Sequence, residues 1–369
     1  MIKVLHFFKT YYPQTMGGIE QVIFQLAEGC AKHGIESEVL YLSDQGGARG
    51  ERIANHLTHR SKLNLHVAST GLSLSAFKDF SELAEQADIV NYHFPWPFMD
   101  VVHFASRINK PTVVTYHSDI VKQKTLLKLY KPLMCRFLKD VNCIVASSPN
   151  YVESSPVLSQ FTGKVSVIPF GLDKKTYIQP SFDKIAYWRA QLGERFFLFV
   201  GALRYYKGLN FLIEAAQKTQ LPVVILGAGP LELELKEQVA SLRINNVVFL
   251  GALPDDDKIA LLSLCYAFVF PSHLRSEAFG ISLLEAAMYG KPLISCEIGT
   301  GTTFINISGE TGFVIPPRDS AALADAMIKL WGQPDLASDM GRAAYVRCEN
   351  VFSVESMVSS YAELYRGLI

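Results

Sequence analysis

The sequence predicts an α/β protein in which a doubly wound, parallel-sheet domain is built twice. Three observations carry this expectation. Short β-rich apolar runs alternate with amphipathic helical stretches from the first residues onward. The alternation starts afresh near residue 195, after a stretch that holds Pro169, Gly171 and Pro180. The chain has 369 residues, 49% hydrophobic and 19% charged, enough for two ordinary domains with a core each.

The elements follow in order. "KVLHFF", "SEVLYL", "DIVNYHF", "TVVTYH" and "CIVASS" read as strands of the first half, each bounded by polar, Gly or Pro residues. Between the first two lies "IEQVIFQLAEGCAKHG", with apolar residues at helical spacing and Gly34 as its stop. Strands that are apolar throughout and separated by helices belong to a parallel sheet covered on both faces. In the second half "RFFLFVGAL", "LPVVILGAG", "NVVFLGAL", "AFVFPS" and "KPLISCE" read as strands. "GLNFLIEAAQKT", "LELELKEQVASLRI", "DDDKIALLSLC" and the apolar stretch around Glu285 read as the helices between them. The join falls within residues 167–183. The expected boundaries are residues 1–170 for the first domain and 171–350 for the second. Residues 351–369 should form a helix that packs back on the first domain. Two open α/β sheets in tandem offer ligands the crevice at the carboxyl ends of their strands.

Composition narrows the function. Lys+Arg and Asp+Glu are both 35, so no global field marks the chain for nucleic acid. The six cysteines are scattered without a CxxC pair, which suits buried free thiols in a reducing compartment. "MIKVLHFF" is a strand pattern, not a targeting segment, and no apolar run approaches the ~20 residues that span a bilayer. A cytoplasmic protein is expected.

Four places could carry chemistry. Gly17-Gly18 leads from the first strand directly into a helix, where bare backbone could approach an anion; a tight turn needs the same residues. His117 stands at the carboxyl end of a predicted strand. Arg204 and Lys207 lie in a strand-to-helix loop opened by Gly208, a pairing that suits a diphosphate or an ordinary solvated loop. Glu277 and Glu285 bracket the start of an apolar helix. A carboxylate there can accept hydrogen bonds from a sugar diol, or it can serve as a cap and a buried ion pair. No dinucleotide fingerprint GxGxxG and no Walker A sequence occurs. "PDDDK" at 254–258 reads as a helix N-terminal cap, and no metal site is expected.

In combination these pieces resemble the retaining glycosyltransferases of family 4. The carriers are the Gly-Gly loop at 17–18, "YHSD" at 116–119, "VIPFGLD" at 167–173, the loop of Gly201 and Lys207-Gly208, the E-x7-E of "SEAFGISLLEAAMYGKP", and "GETGFVIPP" at 309–317. The resemblance spans nearly the whole chain and implies the two-domain GT-B fold. It departs from the family where Ala202 follows the loop glycine, a position often held by arginine, and Arg204 is the substitute on hand.

The resemblance also implies roles. Arg204 and Lys207 would hold the donor diphosphate, with Gly17 and Gly18 approaching it from the other domain. Glu285 would bind the ribose. Glu277 and the amides of Ala278, Phe279 and Gly280 would orient the donor sugar, and His117 would contact it near the anomeric centre. The implied reaction moves a hexosyl unit from a nucleoside diphosphate sugar to a saccharide or lipid-linked saccharide hydroxyl, with retention and without a metal or other cofactor. A bacterial surface-polysaccharide (O-antigen) mannosyltransferase using GDP-mannose fits best. A UDP-sugar donor or a nucleotide-sugar epimerase are the alternatives. The segment "DIVKQKTLLKLYKPLMCRFLKDV" interleaves Lys122, Lys124, Lys128, Lys131, Arg136 and Lys139 with leucines, as a helix lying on an anionic membrane or an ordinary domain helix would.

Overall fold

The computed structural model describes residues 1–15, 17–67, 70–121, 124–177 and 179–369. The chain divides into two compact units. One is Met1–Gly171 together with Ser353–Ile369; the other is Leu172–Phe352.

The first unit runs β1 (Ile2–Phe7), α1 (Gly18–Cys30), β2 (Ile35–Ser43), β3 (Ala48–Ile53), β4 (His56–Lys62), β5 (Leu65–Val67), β6 (Thr70–Leu72), α2 (Ser75–Gln86), β7 (Ile89–Phe94), α3 (Pro97–Ser106), β8 (Thr112–Tyr116), α4 (Lys124–Asp140), β9 (Cys143–Ala146), α5 (Pro149–Ser154) and β10 (Val165–Val167). Its main sheet has eight strands in the order β10-β9-β8-β7-β1-β2-β4-β3, parallel except for the β3–β4 edge pair. β7 is buried along its whole length, as a strand covered on both faces must be. The strand order reverses between β1 and β7, which register His6 opposite Asn91.

The second unit runs α6 (Phe182–Leu192), β11 (Phe197–Val200), α7 (Leu209–Thr219), β12 (Val223–Leu226), α8 (Glu232–Leu242), β13 (Val247–Gly251), α9 (Asp255–Leu264), β14 (Ala267–Phe270), α10 (Ile281–Met288), β15 (Leu293–Cys296), α11 (Thr302–Ile305), β16 (Gly312–Ile315), α12 (Ser320–Gly332) and α13 (Pro334–Val351). Its six parallel strands take the order β13-β12-β11-β14-β15-β16, so the switch point lies between β11 and β14. The last helix, α14 (Val354–Arg366), belongs to the first unit. It packs on α1, where Gly29 leaves room for Val358 and a Cβ would sit 2.4 Å from its methyl. Arg366 donates to His33 O at 2.7 Å.

The structure adds strands that apolar patterning does not reveal. β3 is "ARGERI", with four of its six residues exposed, and β4 is "HLTHRSK". β4 buries polar side chains instead of apolar ones, each with a partner: His56 with Glu28, His59 with Glu38, Thr58 with Glu51 O, Ser61 with Asp79. The "PDDDK" reading also needs correction. The N-cap of α9 is Pro254 and no side chain caps it. Asp256 and Asp257 instead pair with Lys184 at 2.6 and 2.7 Å.

Candidate functional site

In the second unit the loops after β11 and β14 leave adjacent strands at the switch point. Several contacts join them. His273 N donates to Tyr206 O at 2.9 Å, and Tyr205 and Ser276 hydroxyls meet at 3.2 Å. Gly208, the N-cap of α7, has φ +68, and a Cβ there would lie 2.1 Å from Pro271 O. Only glycine allows both that backbone conformation and that approach. The turn is closed by Lys207 N donating to Arg204 O at 3.0 Å.

This zipper brings Lys207 and Glu277 together. Lys207 Nζ sits 2.5 Å from Glu277 Oε2, with side chains only 9% and 12% exposed. The ammonium also lies 4.5 Å from the Phe270 ring centroid, a cation–π contact. Ser272 Oγ donates to the same Oε2 at 3.2 Å. Among the described residues nothing donates to Glu277 Oε1. Ala278 and Phe279 are buried, and Gly280 (φ +98) is the N-cap of α10. The amides of Ala278 and Gly280 make no hydrogen bond among the described residues. Arg204 is exposed and forms no ion pair among them.

Glu285, 4% exposed, repeats the arrangement inside α10, which Glu277 precedes. Its Oε1 accepts from Lys258 Nζ at 3.0 Å and Tyr177 Oη at 2.8 Å. Oε2 accepts from nothing among the described residues. Burial alone would lower the Lys258 pKa; the Glu285 carboxylate outweighs it and raises the pKa. Each glutamate is therefore held by one lysine and one hydroxyl on a single oxygen, with its second oxygen uncommitted.

In the first unit Gly17 is the N-cap of α1 and both Gly17 and Gly18 are exposed. A Cβ on Gly17 would lie 2.5 Å from Glu20 Oε2. Glu20 Oε1 accepts from Thr10 and Thr15 at 2.8 and 3.0 Å, which holds the loop over the start of the helix. His117 follows β8 and is 5% exposed. Its Nε2 lies 3.0 Å from His93 Nδ1, and the ring stacks on Phe170. Burial pushes its pKa down to about 3, so the imidazole is neutral.

Sequence reasoning missed Lys258, Tyr177 and Ser272. Lys258 stands inside an acidic run and Tyr177 in a polar linker, so neither carries a local signal. It also missed the support under the loop of Gly201. A Cβ on Gly227 would lie 2.0 Å from Gly201 O, and one on Gly229 2.6 Å from Leu203 N. "LGAG" at 226–229 was a legible cue, because a strand ending in spaced glycines marks close backbone approach. Among the described residues no three His, Cys, Asp or Glu side chains come together as a metal site.

Two doubly wound units, with paired glutamates at the switch point of the second, define a GT-B glycosyltransferase. Residues 16–176 match the model of Glycosyltransferase Family 4, and residues 183–347 that of Glycosyl transferases group 1. With relatives this similar along its length, the chain belongs to this glycosyltransferase family. It is 59% identical to the D-rhamnosyltransferase WbpZ of Pseudomonas aeruginosa, covering 95% of this chain and 92% of the relative. It is 51% identical to the O-antigen chain mannosyltransferase C of Escherichia coli, covering 100% and 99%. Among solved structures, the sucrose-phosphate synthase of Thermosynechococcus elongatus superposes with a TM-score of 0.82 at 21% identity, covering 100% of this chain and 99% of that one. HepE of Anabaena in complex with UDP-glucose gives 0.78 at 19% identity, covering 100% of both.

Proposed function

We propose that the enzyme transfers a hexosyl unit of manno configuration, mannose first, from a GDP-linked donor to a saccharide or lipid-linked saccharide of a bacterial surface polysaccharide, with retention. One observation carries this reading. A chain 51% identical from end to end to an O-antigen mannosyltransferase holds two glutamates, Glu277 in the loop before α10 and Glu285 on it, each with an oxygen uncommitted among the described residues. Glu285 takes the ribose through Oε2. Glu277 takes the donor sugar through Oε1, together with the amides of Ala278, Phe279 and Gly280. Lys207 and Arg204 neutralise the diphosphate, and preorganised charge of this kind is usually the largest catalytic contribution. No step in this reading calls for a metal. Gly17 and Gly18 offer bare backbone to the diphosphate, and His117 meets the transferred sugar.

A thermal-shift panel of GDP, UDP, GDP-mannose and UDP-glucose tests the donor. A ligand at 100 times its Kd stabilises by about 2.7 kcal/mol. GDP and GDP-mannose are expected to raise Tm and the uridine compounds to leave it unchanged. A shift with UDP alone would replace the guanine nucleotide. Release of GDP only when an acceptor saccharide is added identifies transfer; conversion of the donor without release would mean an epimerase.

The acceptor reading extends to a membrane surface. Among the described residues no helix is long and apolar enough to cross a membrane. Lys122 of the basic segment lies outside the described residues. On α4, Lys128, Lys131, Arg136 and Lys139 are exposed beside exposed Leu126 and Leu129, while Met134, Phe137 and Leu138 face the core. Such a face suits an anionic bilayer that presents a lipid-linked acceptor. Changing Lys128, Lys131 and Lys139 to Glu should release the protein from anionic vesicles at low salt, at about 1 kcal/mol for each lysine removed. The GDP thermal shift should not change. Equal vesicle binding by both proteins would leave α4 an ordinary domain helix.

A further inference from the structure

The ring contact of His117 with His93 does not end there. His93 Nε2 lies 3.1 Å from His6 Nδ1, so three imidazoles form a hydrogen-bonded chain from β1 through β7 to the end of β8. The rings are stacked, with centroids 5.4 and 5.3 Å apart. All three are buried, and burial pushes the pKa of His6 and of His117 down to about 3 and that of His93 well below its ordinary value. Each ring is therefore neutral and carries a single N–H.

Three N–H groups and two contacts leave few arrangements. Each contact needs one N–H and one bare nitrogen. The chain must therefore point one way throughout, or else two like atoms face each other. Its two ends differ. Among the described residues His6 Nε2 is buried with no partner, whereas His117 Nδ1 is not one of the buried unpartnered atoms and makes no hydrogen bond. If the chain ran outward to inward, the buried orphan would be an N–H donor. If it runs the other way, the orphan is a bare nitrogen. Buried orphan N–H groups are rare and under-satisfied acceptors less so, which selects the second direction.

Asn91 is compatible with either direction. Its amide nitrogen is 3.2 Å from His6 Nδ1 and 3.3 Å from His93 Nε2, so it donates to whichever of the two is bare. The amide is oriented by Thr115, whose hydroxyl donates to Asn91 Oδ1 at 3.3 Å and meets Tyr361 Oη of α14 at 3.0 Å.

We propose that His93 and His6 are positioning residues that hold His117 as the tautomer with its hydrogen on Nδ1, so that His117 offers the transferred sugar a hydrogen-bond donor and not a base. The inference rests on the reading of His117 as a sugar contact. It has a consequence for the reaction: with no bare nitrogen facing the sugar, His117 cannot take the proton of the acceptor hydroxyl.

The test is nitrogen NMR of protein labelled with ¹⁵N-histidine, recorded without donor. His117→Asn identifies the His117 signals by their loss. Nδ1 of His117 should be the protonated nitrogen. His93→Leu should let both His117 tautomers appear and lower kcat by roughly 10- to 100-fold, the scale of losing an outer-shell partner, with GDP affinity unchanged. His93→Asn places an amide N–H where Nδ1 stood, and should restore the tautomer and most of kcat. A protonated Nε2 or a cationic ring in the wild type overturns the relay, and that spectrum decides even if His93→Leu does not fold. So does lost activity in His93→Leu with the His117 tautomer intact, since His93 would then act only through packing. Full turnover by His117→Asn would instead end the sugar-contact reading, while the resting spectrum still reports the direction of the chain.

Discussion

Lys207→Ala is expected to lower kcat/KM for the donor by about 100-fold or more, with both a higher KM and a lower kcat. Charge on the leaving diphosphate grows toward the transition state, so a fixed cation stabilises that state more than the bound donor. Lys207 is a cation already removed from water. Its Nζ sits against the Phe270 ring and 2.5 Å from Glu277, so little solvent has to be reorganised when a diphosphate arrives. The same burial creates a second effect. Without Lys207, Glu277 keeps, among the described residues, only the Ser272 hydroxyl at 3.2 Å, and a buried charge is left without its counter-ion. Folding stability should fall by about 3 kcal/mol, the lower end for breaking one side of a buried pair. The double variant Lys207→Ala with Glu277→Gln removes both charges. It should recover most of the stability and none of the activity, which separates the two roles of the lysine. Near-normal turnover by folded Lys207→Ala would take the lysine out of the diphosphate site. Arg204→Ala belongs in the same series; if it is silent, the exposed arginine does not replace the one absent at Ala202.

The double winding was legible because the central strands are largely apolar runs and helices such as α1, α7 and α12 carry an apolar stripe. The strands that escaped were the ones that break this rule. β3 lies exposed at a sheet edge, and β4 buries His56, Thr58, His59 and Ser61 behind hydrogen bonds that no periodicity announces. At the site, the residues with a backbone signature could be read: Gly208 and Gly280 at helix starts with positive φ, and the glutamates made conspicuous by apolar neighbours. Their partners could not. Lys258 reaches Glu285 from a helix 27 positions earlier, and Tyr177 from 108 positions earlier. A pairing at such separation is set by tertiary packing, and a single sequence holds no trace of it. The histidine chain was hidden for the same reason: His6 and His93 are ordinary members of apolar strands until the sheet order sets β1 beside β7.

The two glutamates should fail in different ways. Glu285, taken as the ribose ligand, serves donor and free nucleotide equally. Glu285→Gln should therefore raise the donor KM and weaken inhibition by the nucleoside diphosphate to the same degree, with kcat little changed. A hydrogen bond to a charged group contributes about 1.5–3 kcal/mol, so roughly 10- to 100-fold is expected in each. Glu277 is taken to touch the sugar, which the free nucleotide lacks. Glu277→Gln should cut kcat by about 100-fold. Nucleotide affinity should hold or rise, because Lys207 keeps an amide acceptor but is no longer neutralised by a carboxylate. Stability adds a second distinction. A Glu285 with no counter-ion would make glutamine the more stable residue, yet the Lys258 ion pair at 3.0 Å reverses that sign. The loss is small, about 1 kcal/mol, because Lys258 is 21% exposed and retains Asp255 at 3.1 Å. Titrating GDP into both variants beside their steady-state kinetics reads all of these effects. Weakened nucleotide binding in Glu277→Gln with normal binding in Glu285→Gln would mean that the carboxylates hold each other's assigned positions on the donor.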